Sequence, residues 1–157
     1  MWKQVIVVNK SLDMSPGKLS AMVAHGSISF LTHWIQRNIS EKYNCETDCY
    51  YLKEGTEFNR SLYANWITGS FTKIILEVEN DKCMEGIIEL AHLEGLQNGY
   101  DFFNIVDDST EFLDIPRWAV IAFAPMPNEI IDRVTGTLNL YGHTPEEVKK
   151  WEEISNK

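Results

Sequence analysis

The sequence predicts an α/β protein, a three-layer α/β/α sandwich around a four-stranded, mostly parallel mixed sheet. Residues 3–9 (KQVIVVN) contain an unbroken apolar run, which is typical of a strand covered on both faces. Residues 16–36 carry apolar side chains at three- and four-residue spacing, which indicates an amphipathic helix. Strand-like and helix-like segments then alternate along the chain, which favours helices on both faces of one sheet.

The first predicted helix begins at an N-cap, Ser15, followed by Pro16 at a position that suits proline. Lys18 then lies in the first turn. The positive end of the helix dipole disfavours a cation there by roughly 0.3–1 kcal/mol unless an anion shares the site. We therefore expect Lys18 to meet an anion.

The remaining elements follow from apolar spacing and from turn residues. Residues 38–55 are polar and have no sustained period, so we expect a long surface loop inserted there. A helix containing Phe58, Leu62 and Trp66 comes next. Further strands are predicted at 72–79, 100–106 and 118–124, helices at 81–93 and 128–140, and an extra C-terminal helix within 142–157.

Length and composition favour a single domain spanning residues 1–157. The chain is 44% hydrophobic and 24% charged, as expected for a globular protein with one core. The apolar run at residues 5–8 is too short for a signal peptide or a membrane span. We therefore expect a cytoplasmic protein that does not enter a membrane.

The net charge of −9 disfavours nucleic-acid binding over most of the surface, because such a surface repels phosphate. Any nucleic-acid site has to use a local basic patch. Lys3, Lys10 and Lys18 supply one, opposed in the first 18 residues only by Asp13.

Neither the cysteines nor the Gly17-Lys18 pair predicts a binding site in this sequence. Cys45 and Cys49 are spaced C-x₃-C without a second pair, so we expect free thiols and no metal. Gly17 and Lys18 follow a strand, but Leu12 and Leu19 stand where a phosphate-binding loop needs glycine and a hydroxyl.

Three further residues are candidates for chemistry. His25 is seven residues after Lys18 and so shares its helix face, although one helical histidine is more often packed in a core. Asp107 and Asp108 end a predicted strand, where a carboxylate could act as an acid or base or could simply form a turn.

Taken together, KQVIVVNKSLDMSPGKLSAMVAHGS resembles the N-terminus of the type-2 peptidyl-tRNA hydrolases. The resemblance continues through NWITGSFTKIILEVEN, ELAHLEGLQN and WAVIAFAPMPNEIIDRVTGTLNLY, up to Tyr141. It implies hydrolysis of the ester between a peptide and the terminal ribose of tRNA, without a metal or other cofactor. It also implies a homodimer that binds the acceptor end of tRNA.

By the same resemblance, the catalytic residues are Lys18, His25 and Asp107. Lys18 would meet a phosphate or the developing oxyanion, and Asp107 would activate water. The substrate-binding candidates depend on alignment register. Without gaps, a family threonine becomes Arg117 and the Thr-Gln pair becomes Glu111-Phe112, whereas a one-residue deletion places Thr110 and Glu111 on that pair.

Two functions therefore remain open at the level of sequence. The first is a divergent peptidyl-tRNA hydrolase, favoured by Lys18, His25 and Asp107. The alternative is a non-hydrolytic module of the same fold that binds a small anion, a nucleotide end or a protein partner, favoured by the acidic charge and the altered DDSTEF loop. A basic strip joining Lys18, Lys10 and Lys73 would support tRNA binding.

Overall fold

The computed structural model describes residues 1–44, 46, 49–57, 60–107, 117–144, 146, 147 and 149. The strands are β1 (Trp2–Asn9), β2 (Ile39–Asn44), β3 (Cys49–Leu52), β4 (Lys73–Val78), β5 (Phe102–Asp107), β6 (Arg117–Phe123), β7 (Met126–Pro127) and β8 (Asn139–Leu140). The helices are α1 (Pro16–Asn38), α2 (Arg60–Leu62), α3 (Asp81–Leu93) and α4 (Asn128–Thr135), with a 3₁₀ turn at Lys10–Leu12 and a π-helical segment at Tyr63–Ser70.

The central sheet has the strand order β5-β6-β1-β4-β8, and β7 pairs with the beginning of β1. The α/β class is confirmed, but the sheet has six strands rather than four. The two added strands, β7 and β8, contain two residues each, which is too short to produce an apolar pattern.

The prediction of a mostly parallel sheet is wrong. Among the strands that the structure describes, only β1 and β4 pair in parallel, and β6 runs antiparallel to both β1 and β5. Apolar runs identify a strand covered on both faces, but they do not reveal the direction of its neighbours. Strand direction is decided by how the chain returns to the sheet.

Helices cover both faces of this sheet, as predicted. Val5, Val7 and their neighbours pack against α3 and α4, whereas Ile6 and Val8 pack on the side of α1 and Trp66. Residues 4–9 of β1 are all at most 1% exposed. The unbroken apolar run therefore has the burial that its sequence predicts.

Helix α1 lies close against β5 and β6 because it has a glycine at the crossing point. A Cβ atom on Gly26 would be 2.9 Å from the Cβ of Ala122 and 3.3 Å from a methyl group of Val120. Cβ atoms do not approach so closely, so only glycine permits this separation. The contact sets the position of the whole helix on the sheet.

Several element boundaries are confirmed. Helix α1 begins at Pro16 with Ser15 as its N-cap, and α3 covers the predicted residues 81–93. Gly95 follows with φ of +80°, the left-handed conformation that commonly ends a helix. Thr144 and Glu147 exchange the hydrogen bonds of a capping box, whereas most of the predicted C-terminal helix lies outside the described residues.

Two predicted segments need correction. Residues 38–55 contain an antiparallel pair, β2 and β3, rather than a loop, since the polar side chains leave a backbone that can still pair with itself. Helix α4 ends at Thr135 instead of extending to residue 140. Gly136 follows, and the chain then joins the sheet as β8 through the pairing of Leu140 with Leu76.

Within the described part of the chain, no helix combines the length and apolar character that a membrane span requires.

Candidate functional site

Three strands end at one edge of the sheet. Strands β4 and β1 are parallel, with Val78 opposite Asn9. Strand β5 points the same way as β1, because β1 and β5 are both antiparallel to β6. Helix α1 begins at this edge after the 3₁₀ turn that follows β1. Carboxyl ends of parallel strands commonly form binding sites in α/β proteins.

Lys18 lies in the first turn of α1 and is partly buried. Its backbone N–H donates to the Ser15 hydroxyl at 3.4 Å, which satisfies one of the free amide groups of the helix terminus. The first turn contains no acidic residue. The helix dipole and the Lys18 ammonium group therefore both favour an anion at this end of α1.

His25 is exposed on α1, about 10 Å along the helix axis from Lys18. Packing in the core is therefore the wrong interpretation for this histidine. The next residue, Gly26, faces the sheet instead. This arrangement leaves the imidazole accessible on the outer surface of the same helix that carries Lys18.

Asp107 is the last residue of β5, and its Cα pairs in register with that of Arg117 at the beginning of β6. Just before this pair, the register shifts: Ile105 lies opposite Val120, whereas Val106 lies opposite Trp118. Ala119 is thus the extra residue of a β-bulge. Bulges are frequent beside active sites, because they redirect the end of a strand.

The substrate-binding candidates Thr110 and Glu111 lie outside the described residues, as does Asp108. Arg117 is described, and its guanidinium group makes several contacts. Nε and Nη2 donate to Oδ2 of Asp81 at 3.0 and 2.6 Å, and Nη2 also donates to the Ser11 hydroxyl at 2.7 Å. Hydrogen bonding from Arg117 lowers the pKa of the Asp81 carboxyl group.

The sequence does not identify Asn9 and Asp81 as residues of this edge. Asn9 is 1% exposed and donates to Asp81 and to the Trp118 carbonyl at 2.7 and 3.1 Å. One signal was available, since a buried polar residue at the end of an apolar strand requires partners.

The basic strip from Lys18 through Lys10 to Lys73 does not form. Lys10 lies 3.0 Å from Glu77 and 3.3 Å from Glu79, and these hydrogen bonds raise its pKa. Lys73 pairs with Gln4 at the opposite end of β1, and its ammonium group lies 3.2 Å from the centre of the Phe71 ring. Burial lowers the pKa of Lys73.

Metal-binding side chains do not cluster in the part of the chain that the structure describes: no group of three His, Cys, Asp or Glu residues could hold an ion there. Cys49 and Cys83 are exposed and form no disulfide with another described residue, and Cys45 is not among the described residues.

Comparison with known proteins points to one family. Residues 2–141 match the family described as peptidyl-tRNA hydrolase PTH2. A peptidyl-tRNA hydrolase of Sulfolobus acidocaldarius is 28% identical over 138 residues, covering 88% of this chain and 98% of its own. Those of Haloquadratum walsbyi and Nanoarchaeum equitans are each 30% identical, covering 88% and 90% of this chain and 99% and 100% of their own.

The alignments therefore cover nearly all of this chain and nearly all of its relatives. The family match includes the first strand, helix α1 and the strands that carry Asp107 and Arg117. With a 140-residue family match and relatives that align over almost their whole length, this chain belongs to the type-2 peptidyl-tRNA hydrolase family.

Proposed function

We propose that this protein hydrolyses the ester bond between a peptide and the terminal ribose of tRNA. The observation that carries the proposal is the family match over residues 2–141, which includes Lys18, His25 and Asp107. The fold supports it, because the first turn of α1 and the last residue of β5 belong to the same edge of the sheet.

In the proposed reaction, Asp107 accepts a proton from water as the water oxygen attacks the ester carbonyl. Lys18 and the N-terminus of α1 stabilise the oxyanion that forms, or a phosphate of the acceptor end. Collapse of the intermediate breaks the bond to the ribose oxygen, which takes up the proton. His25 extends this site along the exposed side of α1 and is the third proposed catalytic residue.

The test is cleavage of peptidyl-tRNA by the purified protein, measured as release of free peptide and free tRNA. Hydrolysis far above the spontaneous rate, unaffected by a metal chelator, is expected. Absence of cleavage across salt and pH conditions would exclude the proposed reaction.

A second candidate is a non-hydrolytic module that binds a small anion, a nucleotide end or a protein partner. The net charge of −9 favours it, as does the pairing of Lys10 with two glutamates. Such a module would bind its ligand without releasing peptide. The cleavage assay therefore separates the two candidates.

Binding of tRNA should weaken linearly with salt on a double-logarithmic plot. Displacement of counterions gives a slope of about −0.7 to −0.9 per phosphate contacted. Because Lys3, Lys10 and Lys73 are engaged elsewhere, we expect a total slope no steeper than about −3 by the same relation. Fluorescence anisotropy with labelled tRNA measures it, and binding that is insensitive to salt would contradict this account.

We further propose that the protein acts in the cytoplasm and that, as the family resemblance implies, it is a homodimer. Sedimentation analysis of the purified chain tests the oligomeric state.

A further inference from the structure

Four side chains at the candidate edge form a closed ring of hydrogen bonds. Asn9 donates to Oδ1 of Asp81 at 2.7 Å, and Arg117 donates to the other carboxylate oxygen at 2.6 and 3.0 Å. Arg117 also donates to the Ser11 hydroxyl at 2.7 Å, and that hydroxyl donates to Oδ1 of Asn9 at 2.8 Å. Each side chain in the ring therefore contacts two others.

The ring joins three separate parts of the chain: the end of β1 with the 3₁₀ turn that follows it, the beginning of α3 and the beginning of β6. Asn9 ends β1, Ser11 lies in the 3₁₀ turn, Asp81 begins α3 and Arg117 begins β6. Ser11 is only four residues before the N-cap of α1, and Arg117 pairs with Asp107 in the sheet. The ring thus connects the segment that leads to Lys18 with the strand that lies beside Asp107.

Asn9 makes the ring sensitive to changes at Asp81 and Ser11, the two side chains that Arg117 holds. Its amide group donates to Asp81 and to the Trp118 carbonyl, and its oxygen accepts from the Ser11 backbone and hydroxyl. All four hydrogen-bonding positions of this buried side chain are thereby used. Losing one partner would leave a buried polar group unsatisfied, so its neighbours would rearrange.

We propose that Arg117 and Asp81 are positioning residues, which set the location of Lys18 relative to Asp107 through this ring. Arg117 then acts through Asp81 and Ser11 rather than as a ligand of the tRNA backbone. This proposal rests on the proposed hydrolase function for its kinetic consequence. The ring itself is a structural feature that can be tested without activity.

The central experiment compares Arg117→Ala, Asp81→Asn and the double variant in peptidyl-tRNA hydrolysis. We expect each single variant to lower kcat about tenfold while KM changes less than twofold, since substrate contacts remain. The kcat of the double variant should be at most about twofold lower than that of either single variant, because both changes open the same ring. Arg117→Lys should remain impaired, since an ammonium group cannot reproduce the two-sided contact of the guanidinium group.

The matched control is Arg133→Ala, which removes another arginine–carboxylate pair, to Glu94 at 3.0 Å, on exposed helix surfaces. It should leave kcat unchanged. A rise in KM and a shallower salt slope in Arg117→Ala, with Asp81→Asn unaffected, would instead make Arg117 a phosphate ligand and overturn the proposal. Full kcat in both single variants would overturn it as well.

Amide hydrogen exchange separates failure of this proposal from failure of the hydrolase function. The Ser11 amide donates to Asn9, and the Asp13 amide donates to the Lys10 carbonyl. Both should exchange at least tenfold faster in Arg117→Ala and Asp81→Asn, but not in Arg133→Ala. An inactive wild type would exclude the hydrolase function. Independently of activity, unchanged amide exchange in Arg117→Ala and Asp81→Asn would show that the ring does not hold the segment leading to Lys18, and would overturn the proposal.

Discussion

Lys18→Ala and Asp107→Asn should each reduce the rate of peptidyl-tRNA hydrolysis by about 10²-fold or more while the protein remains folded. This is the effect expected on losing a positioned electrostatic donor or a general base. Their combined loss should be smaller than the product of the single losses, because the two residues act on one transition state. Single-turnover kinetics and circular dichroism provide the two measurements.

Two control variants remove the same charges from other places. Lys82→Ala takes a lysine from the first turn of α3, one position closer to its helix start than Lys18 is in α1, and Glu129→Gln removes an exposed carboxylate from the first turn of α4. Neither should change the rate by more than about twofold, because surface charges contribute little individually. Equal losses in Lys18→Ala and Lys82→Ala would mean that Lys18 contributes only general attraction for tRNA.

Thr110→Val in the same assay distinguishes the two alignment registers. A large loss would support the gapped register, in which the Thr110 hydroxyl contacts substrate, and an unchanged rate would support the ungapped register.

Gly26→Leu should destabilise the fold by at least about 3 kcal/mol, the upper part of the range for overpacked cores. Its Cβ atom would meet the Cβ of Ala122 at 2.9 Å, and a strand in the centre of the sheet cannot move away from it. Gly26→Ala should be milder, since alanine regains about 1 kcal/mol of helix propensity. Urea unfolding measures both changes.

Gly86→Ala is the matched control, since Gly86 also lies inside a helix but a Cβ atom there would have no neighbour within 4 Å. This change should stabilise the protein by about 0.5–1 kcal/mol, because alanine restricts the unfolded chain and favours helix. Equal effects of alanine at both glycines would show that helix propensity, rather than the approach to Ala122, decides the outcome.

Loss of activity should accompany the Gly26 variants even where they remain folded. Because Gly26 and Lys18 belong to one continuous helix, we expect displacement at Gly26 to displace Lys18 as well, about two turns away. Measuring hydrolysis at a temperature well below the unfolding transition separates this displacement from unfolding.

Local signals in the sequence were sufficient for the elements that lead to the site. Ser15 and Pro16 determined where α1 begins, and the apolar run of β1 determined its burial on both faces. Asp81 and Gly95 similarly bounded α3. Each of these features depends on residues within one or two turns of each other, which is why sequence alone could predict them.

The surroundings of Lys18 could not be predicted from the sequence. Spacing placed His25 on the same helix, but only the packing of Gly26 on the sheet showed that the imidazole is exposed. The sequence predicts a basic strip through Lys10 and Lys73, but these residues lie towards opposite ends of β1, and Lys10 is bound to Glu77. Electrostatic surfaces depend on neighbours in space, which spacing along the chain does not reveal.

By itself, the sequence determined the α/β class, the burial of β1, the start of α1 and the family resemblance. Only the tertiary structure decided the direction of β6, the pairing of Asp107 with Arg117 and the ring that connects Arg117 with Asp81 and Asn9. For the ring, the physical reason is separation along the chain, since Asn9 and Asp81 are 72 residues apart. Contacts over such distances form only when the sheet brings the strand ends to one edge.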